Sequence, residues 1–143
     1  MIETWPRYGF GWKALGSVLA ALQRFDDALP VLQTSIEMLP RDAQAYSNLG
    51  NTLQALGRLS EAEASCRQAL ELNPELPEAH NILGNTQCAL GRPGEAEASY
   101  RCALELKPDY HQVHNNLGRI LQDFGRLPEA EACFHRTLEL DSG

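Results

Sequence analysis

Apolar residues recur along the chain at helical spacing and then break at glycine. Between Ala43 and Leu56, the residues Tyr46, Leu49, Gly50, Leu53 and Leu56 fall on one face of a 3.6-residue helix. Gly57 ends that run, because glycine enters the left-handed conformation that closes a helix without a steric cost. A second helical run begins at Ser60 and turns Ala62, Cys66, Ala69 and Leu70 to one side. Ser60 and Glu63 have the spacing of a capping box at its start. Pro74 stops it. The pattern predicts two helices joined by a short turn, with Gly50 and Ala62 small where the pair crosses.

The same pattern returns every 34 residues. Leu15, Leu49, Leu83 and Leu117 keep that step, as do Gly16, Gly50, Gly84 and Gly118. Ala28, Ala62, Ala96 and Ala130 keep it at another phase, and Pro6, Pro40, Pro74 and Pro108 at a third. One helix pair cannot bury its apolar faces alone, so such units stack and share a continuous core.

A helix–turn–helix of this length, with Leu-Gly at its seventh and eighth places, resembles the tetratricopeptide repeat (TPR) family. Trp12 and Tyr46 match the aromatic of the fourth place, Tyr100 and Phe134 that of the twenty-fourth, and Ala69 and Ala103 the alanine of the twenty-seventh. The resemblance implies an all-α, right-handed superhelical solenoid of antiparallel helix pairs. It divides the chain into repeats 9–42, 43–76, 77–110 and 111–143 of a single domain, with residues 1–8 as the remnant of a preceding repeat. The first repeat departs most. Gln23 stands where the others have glycine, and Pro30 removes an early hydrogen bond of its second helix. Gln87 replaces a core leucine and predicts local softness. The words Asn48-Leu49-Gly50-Asn51-Thr52-Leu53 and Leu56-Gly57-Arg58 are similar to bacterial arrays attached to O-linked N-acetylglucosamine transferase-like or sulfotransferase domains.

In that family the first helices of each pair line a concave groove. The fifth, sixth and ninth places read Lys13, Ala14 and Ser17; then Ser47, Asn48 and Asn51; then Asn81, Ile82 and Asn85; then Asn115, Asn116 and Arg119. An asparagine amide both donates and accepts, so a ladder of them suits the backbone of an extended peptide whatever its side chains. The alternative is a merely solvated polar face. The expected binding residues are Lys13, Asn48, Asn51, Asn81, Asn85, Asn115, Asn116 and Arg119. Chaperone-binding members of the family clamp a C-terminal carboxylate. Of the residues that clamp requires, Lys13 and Asn48 are present, whereas Ser17, Glu78 and Ile82 do not fit.

Charge and composition narrow the function classes. The net charge of -7 speaks against nucleic acid as a partner. The acidic residues, Glu61, Glu63, Glu95, Glu97, Glu129 and Glu131 among them, fall at the starts of second helices, where negative charge is favourable, and the resemblance implies that this surface is convex. No apolar run is long enough to span a membrane and no leader is evident, so a cytoplasmic location is expected. Cys66, Cys88, Cys102 and Cys133 form no metal or disulfide pattern and read as reduced thiols. His111 and His114 lie one helical turn apart, with His135 a conceivable third metal ligand, but unrelated surface and core histidines are the simpler reading. No nucleophile, phosphate-loop or metalloprotease motif occurs. The expectation is a non-enzymatic scaffold without cofactor that binds a protein or peptide. Two alternatives stand beside it: the substrate-recruiting segment of a larger glycosyltransferase or sulfotransferase, and a self-assembling module.

The ends suggest an incomplete array. Residues Met1 to Trp5 read as the tail of a helix before Pro6, and no polar capping helix follows the last repeat. Leu121, Phe124, Phe134 and Leu138 are expected to be partly uncovered. The chain is then either a fragment of a longer array or a homo-oligomer that packs end to end.

Overall fold

The computed structural model describes residues 5–142, which form eight helices and, among the described residues, no strand. They are α1 (Trp5–Ala21), α2 (Phe25–Met38), α3 (Ala43–Ala55), α4 (Leu59–Leu72), α5 (Pro77–Ala89), α6 (Pro93–Leu106), α7 (His111–Asp123) and α8 (Leu127–Ser142). Consecutive helices pair as hairpins in the order expected. The chain divides after Pro74 into two compact units, one holding α1–α4 and the other α5–α8.

The turn inside each hairpin is set by one left-handed residue. Gly57, Gly91 and Gly125 take φ of 78°, 79° and 78°. In the first hairpin that place falls to Gln23, at φ 60°. A side chain there costs about 1–2 kcal/mol that glycine avoids, so the first turn carries local strain. Pro30 lies in the body of α2, which continues through it to Met38.

Contact between the two helices of a hairpin depends on missing side chains. In the second unit, a methyl group added at Gly84 would lie 2.5 Å from Cε1 of Tyr100. At Gly118 it would lie 2.9 Å from the ring of Phe134, and in the first unit, at Gly50, 2.7 Å from Sγ of Cys66. The alanines one turn earlier on the second helices, Ala62, Ala96 and Ala130, are buried as well. The glycine of one helix thus receives a large or soft side chain from the other. The cores assemble around these points, from Leu19, Leu32, Leu49 and Leu53 in the first unit and from Tyr100, Val113, Leu117 and Leu121 in the second.

Four expectations change. Helix α1 begins at Trp5, so residues 5–8 continue the first helix and show no separate remnant, while Met1–Thr4 lie outside the described residues. The capping box at Ser60 does not form, because α4 begins one residue earlier and its N-cap position is Arg58. Arg58 instead grips Glu61 through two hydrogen bonds of 3.0 and 2.7 Å. The Arg24–Asp27, Arg92–Glu95 and Arg126–Glu129 pairs repeat that grip at the same place. Gln87 does not soften its core, since Ser99 Oγ donates a 2.7 Å hydrogen bond to its buried side-chain oxygen. Finally, Leu121 is 1% exposed and belongs to the core.

Replacing Gly84 with alanine gains about 1 kcal/mol of helix propensity but forces a methyl into the buried Tyr100 ring. Overpacking of this kind costs about 1–3 kcal/mol. A net loss of stability is expected, read as a lower urea midpoint with an unchanged slope; an unchanged or higher midpoint contradicts the close-approach account.

Candidate functional site

The polar residues expected to line a groove stand on α1 and α3 in the first unit and on α5 and α7 in the second. In the first unit they are tied to one another. Lys13 Nζ lies 2.7 Å from Oδ2 of Asp42. The other carboxylate oxygen of Asp42 caps α3 by accepting from the backbone N–H of Ala45 at 3.2 Å. Asn48 donates to Ser17 Oγ at 2.8 Å and accepts from Gln44 at 3.1 Å. Ser47, assigned to the same face, is buried at 1% exposure, and its hydroxyl finds no partner among the described residues.

The second unit links its amides more densely. Asn116 donates to the side-chain oxygens of Asn85 at 3.2 Å and Asn81 at 3.4 Å, so one residue of α7 bridges two of α5. Asn85 also accepts from the hydroxyl of Tyr100, the ring that fills the Gly84 gap. Asn81 makes a long, 3.5 Å contact with the Tyr110 hydroxyl. Burial pushes the hydroxyl pKa of both tyrosines up, so each stays protonated; Tyr100 donates to Asn85, and Tyr110 accepts from Asn81. Ile82 is buried rather than open on this face.

The expected residues therefore fall into two groups. Lys13, Asn48, Asn81, Asn85 and Asn116 use part of their bonding capacity inside the protein. Asn51 and Asn115, both half-buried, and Arg119, exposed, make no side-chain hydrogen bond among the described residues. An amide has two donor hydrogens and two acceptor lone pairs, so the linked asparagines retain sites for a ligand. The tyrosine partners escaped the sequence reading. A signal existed, since a buried tyrosine needs a partner for its hydroxyl.

On the second helices several acidic residues, Glu97 and Glu63 among them, are held in ion pairs. Glu97 meets Arg101 at 2.8 Å and Arg126 at 2.9 Å, and Arg126 continues to Glu129 at 2.8 Å. In the first unit Glu63 pairs with Arg67 at 3.0 Å. Burial alone would raise the Glu97 carboxyl, but hydrogen bonds from Arg101 and Arg126 outweigh it and hold it below the usual carboxylate range.

No group of three metal-ligating side chains comes together among the described residues. His114 is bonded to the Pro108 carbonyl at 2.8 Å. Cys66 is fully buried, and burial pushes its thiol up to about 12, which leaves it an inert core residue. No helix among the described residues is long and apolar enough to cross a membrane.

Tetratricopeptide-repeat models match residues 43–76, 77–110 and 115–140. Among solved structures, the chain is similar to TTC0263, a thermophilic TPR protein of Thermus thermophilus. The TM-score is 0.84 at 23% identity, over 94% of this chain and 75% of that one. It is also similar to MamA, with a TM-score of 0.82 at 22% identity over 94% of this chain and 78% of that one. The first TPR of Spaghetti (RPAP3), bound to the HSP90 peptide SRMEEVD, aligns with a TM-score of 0.78 at 24% identity, over 83% of this chain and 94% of that one. At these identities the likeness is one of fold. No curated protein sequence matches the chain.

A glutamate held below its unfolded pKa adds stability above about pH 5 and loses it as the pH falls through the folded value. Glu97→Gln is therefore expected to lower stability at pH 7 and to flatten its decline between about pH 5 and 3. The check is a series of urea midpoints across that range; parallel declines in the two proteins would show that the Glu97 pairs add nothing.

Proposed function

This chain belongs to the tetratricopeptide-repeat family, and we propose from that premise that it is a protein-interaction scaffold. Its ligand is an extended segment of a partner protein, held along the polar face of α5 and α7 in the second unit, with the face of α1 and α3 in the first unit as a further site of the same kind. The observation that carries this reading is the Asn81–Asn85–Asn116 cluster. Three amides are fixed in orientation by one another and by the buried Tyr100, yet they stay half-buried rather than sealed. Fixed amides meet a peptide backbone with little further loss of rotamer freedom, which is how preorganised donors gain affinity. Asn51, Asn115 and Arg119 add groups with free bonding capacity on the same helices.

The carboxylate-clamp mode is not the one favoured. The Lys13 ammonium is held by Asp42, Ile82 is buried, and Glu78 carries negative charge where the clamp needs positive. The ligand is thus recognised through its backbone more than through a terminal carboxylate. The sequence words around Asn48 and Gly57 favour, as a second reading, that this scaffold recruits substrates for a glycosyltransferase or sulfotransferase.

Two triple variants separate binding from folding once a partner has been captured. Asn51→Ala/Asn115→Ala/Arg119→Ala is expected to weaken binding by about tenfold or more, at about 0.5–1.5 kcal/mol for each lost hydrogen bond, with the urea midpoint unchanged. Asn48→Ala/Asn81→Ala/Asn116→Ala is expected to weaken binding and lower the midpoint together, because these amides also link helices. Full binding by both variants, measured by calorimetry, would reduce the face to solvated surface.

A further inference from the structure

We infer that copies of this chain join head to tail, the outer face of α7–α8 in one copy covering the face of α1 in the next. The interface would reproduce, between molecules, the packing already present between repeats within each unit.

The seventh and tenth places of the first helix decide the matter. In the second unit these places are Leu117 and Ile120, exposed at 2% and 5%, which lie in one buried cluster with Tyr100 and Ala103 of α6. In the first unit Leu49 and Thr52 of α3 are likewise buried, at 9% and 0%. In α1 the same places are Leu15 and Val18, exposed at 47% and 55%, with Trp12 beside them at 37%. This face carries residues of interior character and lies open among the described residues. Surfaces of that kind mark interaction sites.

The complementary face is on the last hairpin. Within the second unit, Tyr100 and Ala103 of α6 share a buried cluster with Leu117 and Ile120, and Leu104 packs against it. One repeat later those places are Phe134, Thr137 and Leu138, and Leu138 is 65% exposed. Leu127, Ala130, Phe134 and Leu138, with Glu131 and His135 at the rim, line an apolar hollow of about 290 Å³. Leu15 and Val18 would enter this hollow if the internal packing were repeated.

Charge supports the same register. Inside the second unit, Glu97 pairs with Arg126 of the following repeat, and Arg101 with Glu129. Transposed to a junction between copies, Glu131 takes the place of Glu97 and meets Arg24 of the next copy, and His135 takes the place of Arg101 and meets Asp27. The first contact joins opposite charges, and the second sets an imidazole, which can donate a hydrogen bond, beside a carboxylate. A second copy is thus matched in apolar character and in rim polarity. Because the two faces differ, the contact is heterologous and each copy keeps one face open for another.

The test uses two face variants of the whole chain. Leu15→Glu/Val18→Glu removes the α1 face, and Leu127→Glu/Leu138→Glu removes the α8 face; all four residues are exposed, and circular dichroism checks that helix content is kept. Wild-type protein is expected to associate with rising concentration in sedimentation equilibrium, and each variant alone to stay monomeric. An equimolar mixture of the two is expected to give a dimer and nothing larger, because only one productive pair of faces survives. Glu131→Arg should weaken wild-type association by about tenfold and recover when combined with Arg24→Glu. A wild-type chain monomeric at millimolar concentration overturns the inference. So does a variant that dimerises alone, which would mean a symmetric contact, or a mixture that stays monomeric.

Discussion

The close approach of two helices within each hairpin is the constraint on which the rest of the structure depends. Glycine at the eighth place leaves room for Cys66, Tyr100 or Phe134 from the partner helix, and alanines opposite keep the backbones near. A side chain at that glycine would push the helices apart and shift every residue between them. The spacing is therefore a single adjustment that sets how the neighbouring leucines meet, and it explains why the glycine and alanine recur with the period of the fold.

That spacing also governs the polar face. Tyr100 fills the gap over Gly84, and its hydroxyl emerges beside Asn85, so the packing of the hairpin fixes the orientation of an amide on the surface. Asn116 passes the constraint across to α7. Core and candidate binding face are one mechanical unit here. As a consequence, most of these asparagines serve structure as well as recognition. The second helices carry the opposite arrangement, in which Glu97, Arg101, Arg126 and Glu129 hold one another in solvent-facing pairs.

Helix order, hairpin turns and the small-residue contacts were legible in the sequence, because each depends on spacing and on one steric property. Gly57, Gly91 and Gly125 stand in the left-handed region as their places predict, and Gln23 stands there against its preference because the repeat leaves no other path. What spacing could not disclose was how side chains choose among nearby partners. Ser60 matched a capping box, yet Arg58 and Glu61 close that end instead. Gln87 looked like a flaw in a leucine place, and only the position of Ser99 turns it into a satisfied pair. The amide face was recognised as a set of residues, but its internal bonds depend on distances between helices. Leu121 was expected to be partly uncovered, yet it belongs to the buried cluster of the second unit.

Whether the polar faces of the first helices hold a peptide backbone is tested most directly by following the asparagine side-chain amide resonances of the labelled protein. A peptide selected on the immobilised chain from a random display library would be titrated in. The shifts are expected to concentrate on Asn48, Asn51, Asn81, Asn85, Asn115 and Asn116, for selected peptides of unrelated side-chain sequence. Shifts confined to the ion-paired surface of α4, α6 and α8, with those six amides unmoved, would contradict a backbone-binding face.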